Sequence, residues 1–488
     1  MGINMIKCNC DRAFLKSLLI ELVYRIFHIS PLLFINIALF LIILFLFCFK
    51  VSALTTQTVK AINGNKPEFI DIENASKKQG FKVLETFYSE SSNNIKGEEI
   101  KEFDNNLKFS DFKVALLDLD VQSNYQDADG DKIREAQPFK TKTTYAWQDN
   151  EGNEIKEDKA ETIIGCGSGY SMPLTLTIKT LVNTYSEHGI PNESDSVELI
   201  KSYKIAAKSE LCYAKPYATE VVPTNQWVGI NPDDSYSWND PKFILRNPNN
   251  GGGYSNDYVP NLGYKINPKE SLGKKFPTTG FPGAKFQLVM TGAQTDYEFS
   301  IAASPGDKVS IDKKGYITLN DKPTGPVTIH AKLIRNDNII HEYTFNATSI
   351  WVIPYYQSVT FEEAEKICGG RNKMLTMKEL TNSPRAYDFY NLHSESHRSN
   401  GYTRKIGDSV FAEWGWVTKQ GYPDSNWREN AIEGEPFYGR YWTNEINKND
   451  SNYGFVIHSH DGFVGVYYFD EDNINHYPSR IANPVCKN

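Results

Sequence analysis

The cysteines constrain the fold of this chain more than any other feature of its sequence. Seven are present, of which Cys166, Cys212, Cys368 and Cys486 follow an apolar segment near the start. An even number of cysteines in an exported chain indicates disulfides, and four cysteines allow three pairings. The pairing that closes a loop within each predicted module joins Cys166 to Cys212 and Cys368 to Cys486. Unpaired buried thiols are the alternative.

Export is indicated by residues 31–49, which form an apolar run (PLLFINIALFLIILFLFCF) preceded by basic residues. The small residues at 51–53 (VSA) predict cleavage by a signal peptidase after Ala53. The alternative is a retained type II membrane anchor, because the run is long enough to cross a bilayer. Both interpretations place the remainder outside the cytosol, either secreted or at the cell surface.

The charge of the exported part excludes some classes of partner. The chain carries a net charge of −8, and removal of residues 1–53, which hold five Lys/Arg and two Asp/Glu, takes this to −11. An acidic surface argues against binding to nucleic acid or to anionic lipid.

Length and patterning predict a multidomain, mainly β protein, because 488 residues exceed what one hydrophobic core supports. Residues 54–100 are polar and irregular, which predicts a linker. Residues 101–283 predict a β-rich, immunoglobulin-like domain that ends in a loop-rich extension. Its strand-like runs lie at 112–121, 143–149, 172–182 and 197–207.

Residues 284–350 predict a small immunoglobulin-like sandwich of about six short strands. The clearest strand has apolar residues at every second position, Val327, Ile329, Ala331 and Leu333. The sequence DKKG at 312–315 predicts a turn between two of the strands.

Residues 351–488 predict a compact α+β unit. Thr360 with Glu363 and Thr376 with Glu379 form two capping boxes, each of which opens a short helix. Aromatic strands are predicted at 410–417 and 438–445, and a hairpin with its turn at Asp461-Gly462 is predicted to follow them.

This last segment resembles the C-terminal lectin-like domain of the intimin and invasin adhesins. The resemblance lies in Cys368, Gly369, Gly370, Arg371, Trp442, Thr443 and Cys486. The segment before it is similar to the bacterial immunoglobulin-like domain that precedes the lectin-like domain in that family. The resemblance implies a C-type-lectin-like fold for 351–488 and a protein that acts by adhesion.

One departure from the family bears on how the chain would reach the cell surface. Intimins and invasins carry an outer-membrane β-barrel before their passenger, whereas fewer than 50 residues separate the leader from the first predicted sandwich here. The arrangement resembles the secreted exoproteins of the Zir type. The resemblance implies a separately encoded intimin-like translocator as one partner.

Aromatic side chains are the candidate ligand-binding residues. Rings of Trp and Tyr can form a platform for a sugar face or a hot spot for a protein. Packing in the core is the alternative, notably for Trp414 and Trp416, which would share one face of a strand. The candidates are Trp414, Trp416, Trp427, Tyr438 and Trp442.

Metal sites and cofactors are not predicted. Asp127, Asp129 and Asp131 have the spacing of a calcium loop but lack its further ligands, so a solvated turn is expected. Calcium-dependent sugar binding in C-type lectins needs an EPN or QPD stretch followed by WND. Here WND occurs at 238–240, outside the lectin-like unit, so this kind of sugar binding is not expected. The pairs His393 with His397 and His458 with His460 could bind zinc only with a third ligand, and exposed histidines are the simpler expectation.

The sequence therefore predicts a secreted or surface-displayed adhesin-like protein of a Gram-negative bacterium. Its lectin-like tip would recognise a protein or glycan on a host or bacterial surface, as in a virulence factor. No enzyme is predicted: GCGSGY at 165–170 lacks the first glycine of a nucleophile elbow, and there is no HExxH motif or phosphate loop. The alternatives are a type II membrane-anchored lectin-like receptor and a hydrolase without a visible motif.

Overall fold

The computed structural model describes residues 64–218, 252–302, 306–383, 402–407, 409–428, 439–446, 451, 453–459, 462, 464–468 and 481–488. The predicted signal segment lies outside these residues. Within them, every helix is too short or too polar to cross a membrane. The described chain is mainly β, with several short helices.

Residues 64–100 contain regular structure, so the prediction of a linker is wrong for them. The elements are β1 (Glu68–Phe69), α1 (Ile72–Lys78), β2 (Gly80–Val83) and β3 (Thr86–Ser89). Phe81 is fully buried, and its ring lies 5.6 Å from that of Tyr203. A short strand buries only alternate side chains, so this segment looks polar in composition although some of its apolar residues, such as Phe81 and Val83, belong to the core.

The first sandwich is built on one long sheet with the strand order β4-β10-β9-β7-β8. Strand β10 pairs antiparallel with β9 and parallel with β4. A smaller sheet, β3-β2-β5, adds residues to the same core. The bounds are β4 (Ile100–Phe103), β5 (Phe112–Val114), β7 (Phe139–Gln148), β8 (Glu154–Ile155), β9 (Leu174–Thr184) and β10 (Val197–Ala207).

Three of the strands predicted in this module are confirmed, and the fourth is shorter than expected. Of the run 112–121, only β5 forms a strand, and α2 (Val121–Asn124) begins where the run ends. Asp120 caps this helix, since its side chain accepts a hydrogen bond from the Ser123 amide at 3.1 Å. The cap competes with strand pairing at the polar end of the run. The short strand β6 (Tyr125–Gln126) then pairs with β1.

The segment after the first sandwich pairs with the next sheet, although it was expected to extend the first domain. It contributes β11 (Leu211–Pro216), β12 (Tyr258–Val259), β13 (Gly263–Lys265) and β14 (Thr279–Gly280). The sheet order is β12-β13-β11-β15-β18-β17. Tyr264, Phe276 and Phe281 are fully buried in the core that follows, which is why this loop-rich stretch packs there.

The second sandwich confirms the predicted strands of 284–350. Its strands are β15 (Ala284–Met290), β16 (Tyr297–Ile301), β17 (Val309–Ile311), β18 (Tyr316–Leu319), β19 (Val327–Leu333), β20 (Ile340–Phe345) and β21 (Ile350–Pro354). The sheet β16-β19-β20 faces the sheet that contains β15. The predicted turn is present: the Asp312 side chain accepts hydrogen bonds from the Lys314 and Tyr316 amides, and Gly315 has φ +74°.

Both predicted disulfides are present. Cys166 and Cys212 lie 5.7 Å apart between Cα atoms, and Cys368 and Cys486 lie 5.3 Å apart. Cys166 also forms a β-bridge with Thr291. The first disulfide therefore joins the loop before β9 to the start of β11.

The C-terminal segment combines short helices with two small sheets. The helices are α3 (Phe361–Cys368), α4 (Met377–Leu380) and α5 (Val410–Trp414), and the strands are β22 (Arg440–Ile446), β23 (Tyr453–His458), β24 (Val464–Tyr468) and β25 (Val485–Lys487). Both capping boxes are confirmed. Strands β22-β23-β24 form one sheet, and β14-β21-β25 form the other.

The predicted strand at 410–417 is wrong, because residues 410–414 are the helix α5. Ser409 caps it: the side-chain oxygen accepts a hydrogen bond from the Ala412 amide at 3.4 Å. Gly415, with φ +78°, ends it. All five helical residues are buried, so the run fits the periodicity of a strand as well as that of a helix. The cap at Ser409 favours the helix.

Candidate binding site

The tryptophans predicted as a ligand platform form the interior of the C-terminal segment. Trp414, Trp427 and Trp442 are each fully buried. The indole nitrogen of Trp414 donates to the Thr279 carbonyl at 3.2 Å, and that of Trp442 donates to the Val359 carbonyl at 2.9 Å. A ring enclosed in this way cannot offer its face to a ligand, so core packing is the correct interpretation of these three residues.

The ring of Trp427 shows how dense this interior is. It lies edge-on to Tyr441 at 4.8 Å between ring centroids, to Phe281 at 5.3 Å and to Phe411 at 5.6 Å. Edge-to-face pairs of this kind add to the stability gained from burial alone. Phe281 precedes β15, so the cluster joins the C-terminal segment to the second sandwich.

The two remaining candidates are not brought together with the buried three. Trp416 is half-buried and follows the helix α5, so it does not share a strand face with Trp414. Tyr438 lies outside the described residues. The predicted five-residue platform is therefore not what the described structure contains.

Exposed aromatic residues lie instead between β21 and α3. Tyr355 is 39% exposed and Tyr356 is 51% exposed, while Ile481, on the segment that leads into β25, is 47% exposed. The Tyr355 amide donates to the Pro484 carbonyl at 3.0 Å, and Val359 and Ala482 exchange two backbone hydrogen bonds. We call Tyr355, Tyr356 and Ile481 the tyrosine surface.

The tyrosine surface rests on fixed structure. The helix α3 begins at the capping box just after it, and the disulfide ties the last residue of this helix to β25. Lys487 on β25 pairs with Glu379 of the second capping box at 3.0 Å. Burial raises the pKa of Glu379, but hydrogen bonds from Thr376 and Lys487 outweigh it, so the pKa lies below its ordinary value.

Sequence reasoning missed the tyrosine surface although a signal was present. The sequence PYYQS at 354–358 places two aromatic residues in a short polar connection immediately before a helix cap. Aromatic side chains in such a connection have few neighbours to bury them. Trp414, Trp427 and Trp442, which were predicted to bind a ligand, belong to the core instead.

A match to a known family model covers part of the chain. Residues 261–345 match the model of invasin domain 4. This part of the chain is therefore similar to a domain of the intimin/invasin family. The match begins upstream of residue 284, and it includes β13 and β14 as well as the strands of the second sandwich up to β20. We refer to residues 261–345 as the invasin domain.

Solved structures of the family resemble the chain weakly. Invasin, described as a bacterial integrin-binding protein, is 16% identical over 72% of this chain and 51% of its own, with a TM-score of 0.33. An intimin mutant from EHEC O157:H7 is 16% identical over 48% of this chain and 94% of its own, with a TM-score of 0.27. Intimin from a complex with Tir90 is 17% identical over 47% of this chain and 92% of its own, with a TM-score of 0.27.

The chain thus spans about half the length of the invasin structure that it matches. No curated protein matches the chain. Similarity of this degree says nothing about what this chain binds.

A buried carboxylate connects the invasin domain to the C-terminal segment. Glu413, on α5, accepts hydrogen bonds from the amides and hydroxyls of Thr278 and Thr279 and from the Gly407 amide, at 2.6 to 3.2 Å. Burial raises its pKa, and the hydrogen bonds from these donors oppose that rise. The carboxylate fixes β14 against α5 and the loop before it.

A buried cation lies close to the same junction. Arg404 is fully buried, with its guanidinium carbon 4.7 Å from the ring centroid of Tyr258 and 5.6 Å from that of Tyr264. The ring faces offset part of the cost of burying the charge. The Tyr264 hydroxyl donates to the Ala412 carbonyl at 2.8 Å, which orients the ring.

The structure describes some of the candidate metal ligands. Asp127 accepts hydrogen bonds at one carboxylate oxygen from the Asp129 amide at 2.8 Å and the Asp131 amide at 3.2 Å, which closes a tight turn, while its other carboxylate oxygen is buried. His458 lies on β23, whereas His393, His397, His460 and the triplet at 238–240 lie outside the described residues. The described part of the chain holds no group of three or more His, Cys, Asp or Glu residues placed to bind a metal ion.

Proposed function

We propose that this chain is an adhesin-like binding protein that acts outside the cytosol and recognises a surface partner through its C-terminal segment. The observation that carries the proposal is the match of residues 261–345 to invasin domain 4, followed by a disulfide-closed segment that exposes the tyrosine surface. The proposal assigns recognition to the chain and no catalysis.

The tyrosine surface has the composition of a protein-binding hot spot. Tyrosines contribute large contact area with few rotatable bonds and can form a hydrogen bond at the ring hydroxyl. Arg428 lies next to this surface, since its guanidinium contacts the Ser358 hydroxyl. Tyr and Arg are enriched where binding energy is concentrated, which favours a protein as the partner.

We also propose residues 351–488 as a lectin-like domain by fold, with protein recognition rather than calcium-dependent sugar binding as its role. The partner is a protein on the surface of a host or bacterial cell. Export by the segment 31–49, release or display at the surface of a Gram-negative bacterium, and passage through a separately encoded intimin-like translocator belong to the same proposal.

Binding of the mature chain to cells tests the proposal. Fluorescently labelled protein of residues 54–488 is titrated onto cultured epithelial cells and onto intact Gram-negative bacteria, with and without EDTA. We expect saturable binding to one of them that EDTA does not alter. Absence of saturable binding to both would contradict the proposal.

A matched pair of variants locates the binding surface. The double variant Tyr355→Ala/Tyr356→Ala is expected to lower affinity about tenfold or more, as the loss of a hot spot does. Tyr145→Ala removes a tyrosine of the same exposure from the first sandwich, 52% against 51% for Tyr356, and is expected to bind normally. Equal affinity of the double variant and the unmodified chain would remove the tyrosine surface from the proposal.

A further inference from the structure

A cavity of about 550 Å³ lies at the edge of the invasin domain, and its lining residues do not include those of the tyrosine surface. Its walls come from the end of β20, from residues 273–278 before β14 and from Gly407 in the loop before α5. This volume is within the range of sites that hold small ligands.

The charge of the cavity is opposite to that of the protein. Lys274 and Lys275 line it, and the described lining residues include no carboxylate, although the whole chain has a net charge of −8. Neither lysine forms an ion pair within the described part of the chain. The ammonium group of Lys275 lies 5.4 Å from the ring centroid of Tyr343, which restrains the side chain beside the cavity.

The remaining lining is divided between apolar and hydrogen-bonding groups. Phe345 and Ile350 provide apolar contacts. The Thr348 hydroxyl donates to the Asn346 side-chain oxygen at 2.9 Å, which orients the Asn346 amide nitrogen as a donor. The Ser349 hydroxyl donates to the Thr278 carbonyl and keeps its oxygen as an acceptor. Apolar contacts beside several donors and acceptors suit a sugar ring, which has both kinds of surface.

Two walls of the cavity are held in place by Glu413. Thr278 and Gly407 both donate to its carboxylate, at 2.6 Å from the threonine hydroxyl and 2.7 Å from the glycine amide. Gly407, with φ +83°, approaches the Lys274 side chain so closely that a Cβ there would lie 3.2 Å from its Cδ atom. The site is therefore formed before any ligand arrives, which lowers the cost of binding.

We propose that this cavity binds an acidic sugar unit, one that carries a carboxylate or a sulfate. The two ammonium groups recognise the anionic group as point charges. The apolar contacts and the hydroxyl and amide groups recognise the ring. This site is separate from the tyrosine surface, so the chain has a glycan site in addition to its proposed protein-binding surface.

Isothermal titration and saturation-transfer NMR on the protein of residues 54–488 test the proposal. The probes are N-acetylneuraminic acid for a carboxylate, N-acetylglucosamine 6-sulfate for a sulfate, and neutral N-acetylglucosamine. We expect at least one acidic sugar to bind at least tenfold more tightly than the neutral sugar. We also expect that affinity to fall as salt is raised, because a charge contact is screened. Failure of both acidic sugars to bind, or equal binding of the neutral one, would overturn the proposal.

Variants assign the binding to the cavity. Lys274→Gln/Lys275→Gln is expected to lower the affinity for the acidic sugar at least tenfold. Lys313→Gln, which removes an exposed lysine from the turn before β18 of the same domain, is expected to bind as the unmodified chain does. Unchanged affinity in the double lysine variant would overturn the assignment, provided that its unfolding midpoint matches that of the unmodified chain.

The filling variant Thr348→Trp tests the cavity without changing its charge. It is expected to abolish sugar binding by occupying the space, and retained binding would contradict the proposed site. Tyr355→Ala/Tyr356→Ala is expected to bind the acidic sugar normally. Loss of cell binding with retained sugar binding, or the reverse, therefore separates the failure of one proposal from that of the other.

Discussion

At the scale of single residues, Glu413 is a side chain whose replacement should cost stability. Its carboxylate accepts from five donors in a fully buried position. Each buried donor left without a partner costs about 1 to 3 kcal/mol. We expect Glu413→Ala to lower the free energy of unfolding by about 3 to 5 kcal/mol, and Glu413→Gln by less, because the amide keeps one acceptor oxygen. Urea denaturation measures both, and Glu298→Gln on the exposed side of β16 is the control.

The same residue predicts a pH dependence of stability. The pKa of Glu413 is raised in the folded chain, above its ordinary value of 4.5. Its contribution to stability is therefore complete below about pH 4.5 and decreases as pH rises through the folded pKa. The glutamine of Glu413→Gln does not titrate. The free energy of unfolding of the unmodified chain, minus that of this variant, should therefore decrease as pH rises from 4 to 8. A difference that grows with pH would show that the hydrogen bonds outweigh burial.

At the scale of elements, the two disulfides should differ in their contribution to stability. They close loops of 46 and 118 residues, and the chain-entropy estimate gives about 4 and about 5 kcal/mol respectively. We expect Cys368→Ser/Cys486→Ser to unfold at lower urea than the unmodified chain and to expose α3 to protease. Cys166→Ser/Cys212→Ser is the comparison, and it should leave α3 protected. Alkylation of the native chain should label none of the four cysteines, and labelling of Cys368 and Cys486 would refute the pairing.

How far the sequence predicts an element depends on how local its cause is. The capping boxes at Thr360 and Thr376 and the alternating strand β19 are set by near neighbours in the sequence, and all three are confirmed. The sequence does not predict helix α5 because all of its residues are buried, which removes the periodicity that separates helix from strand. The signal for the tyrosine surface lies in the pattern of residues 354–358 and not in the composition, because two aromatic residues stand in a short polar connection before a helix cap.

At the scale of the whole molecule, one hydrophobic core runs from β11 to β25. Its members come from all three predicted domains: Tyr264 and Phe281 from 101–283, Leu288 from 284–350, and Trp414 and Val485 from 351–488. The predicted domain boundaries at 283 and 350 therefore cross a packed interior. Strand β11, on the far side of the first boundary, pairs directly with β15.

This continuity predicts which fragments fold. A fragment of residues 284–488 lacks β11, one of the two strands that pair with β15, and it lacks Tyr264, Phe276 and Phe281 from its core. Loss of large buried aromatic side chains costs about 3 to 5 kcal/mol each, so this fragment should be unfolded or aggregated. An unpaired, apolar β15 edge also favours association between copies.

A longer fragment of residues 208–488 should fold, because it restores β11 to β14 and with them the interior around Trp414. Cys212 is replaced by Ser in it, since its partner Cys166 is absent. Circular dichroism, urea denaturation and size-exclusion chromatography on both fragments measure the difference: a cooperative transition and a monomeric peak for 208–488, and neither for 284–488. Equal urea midpoints for the two fragments would show that residue 284 is a domain boundary. The core would then be complete without the strands that precede this residue.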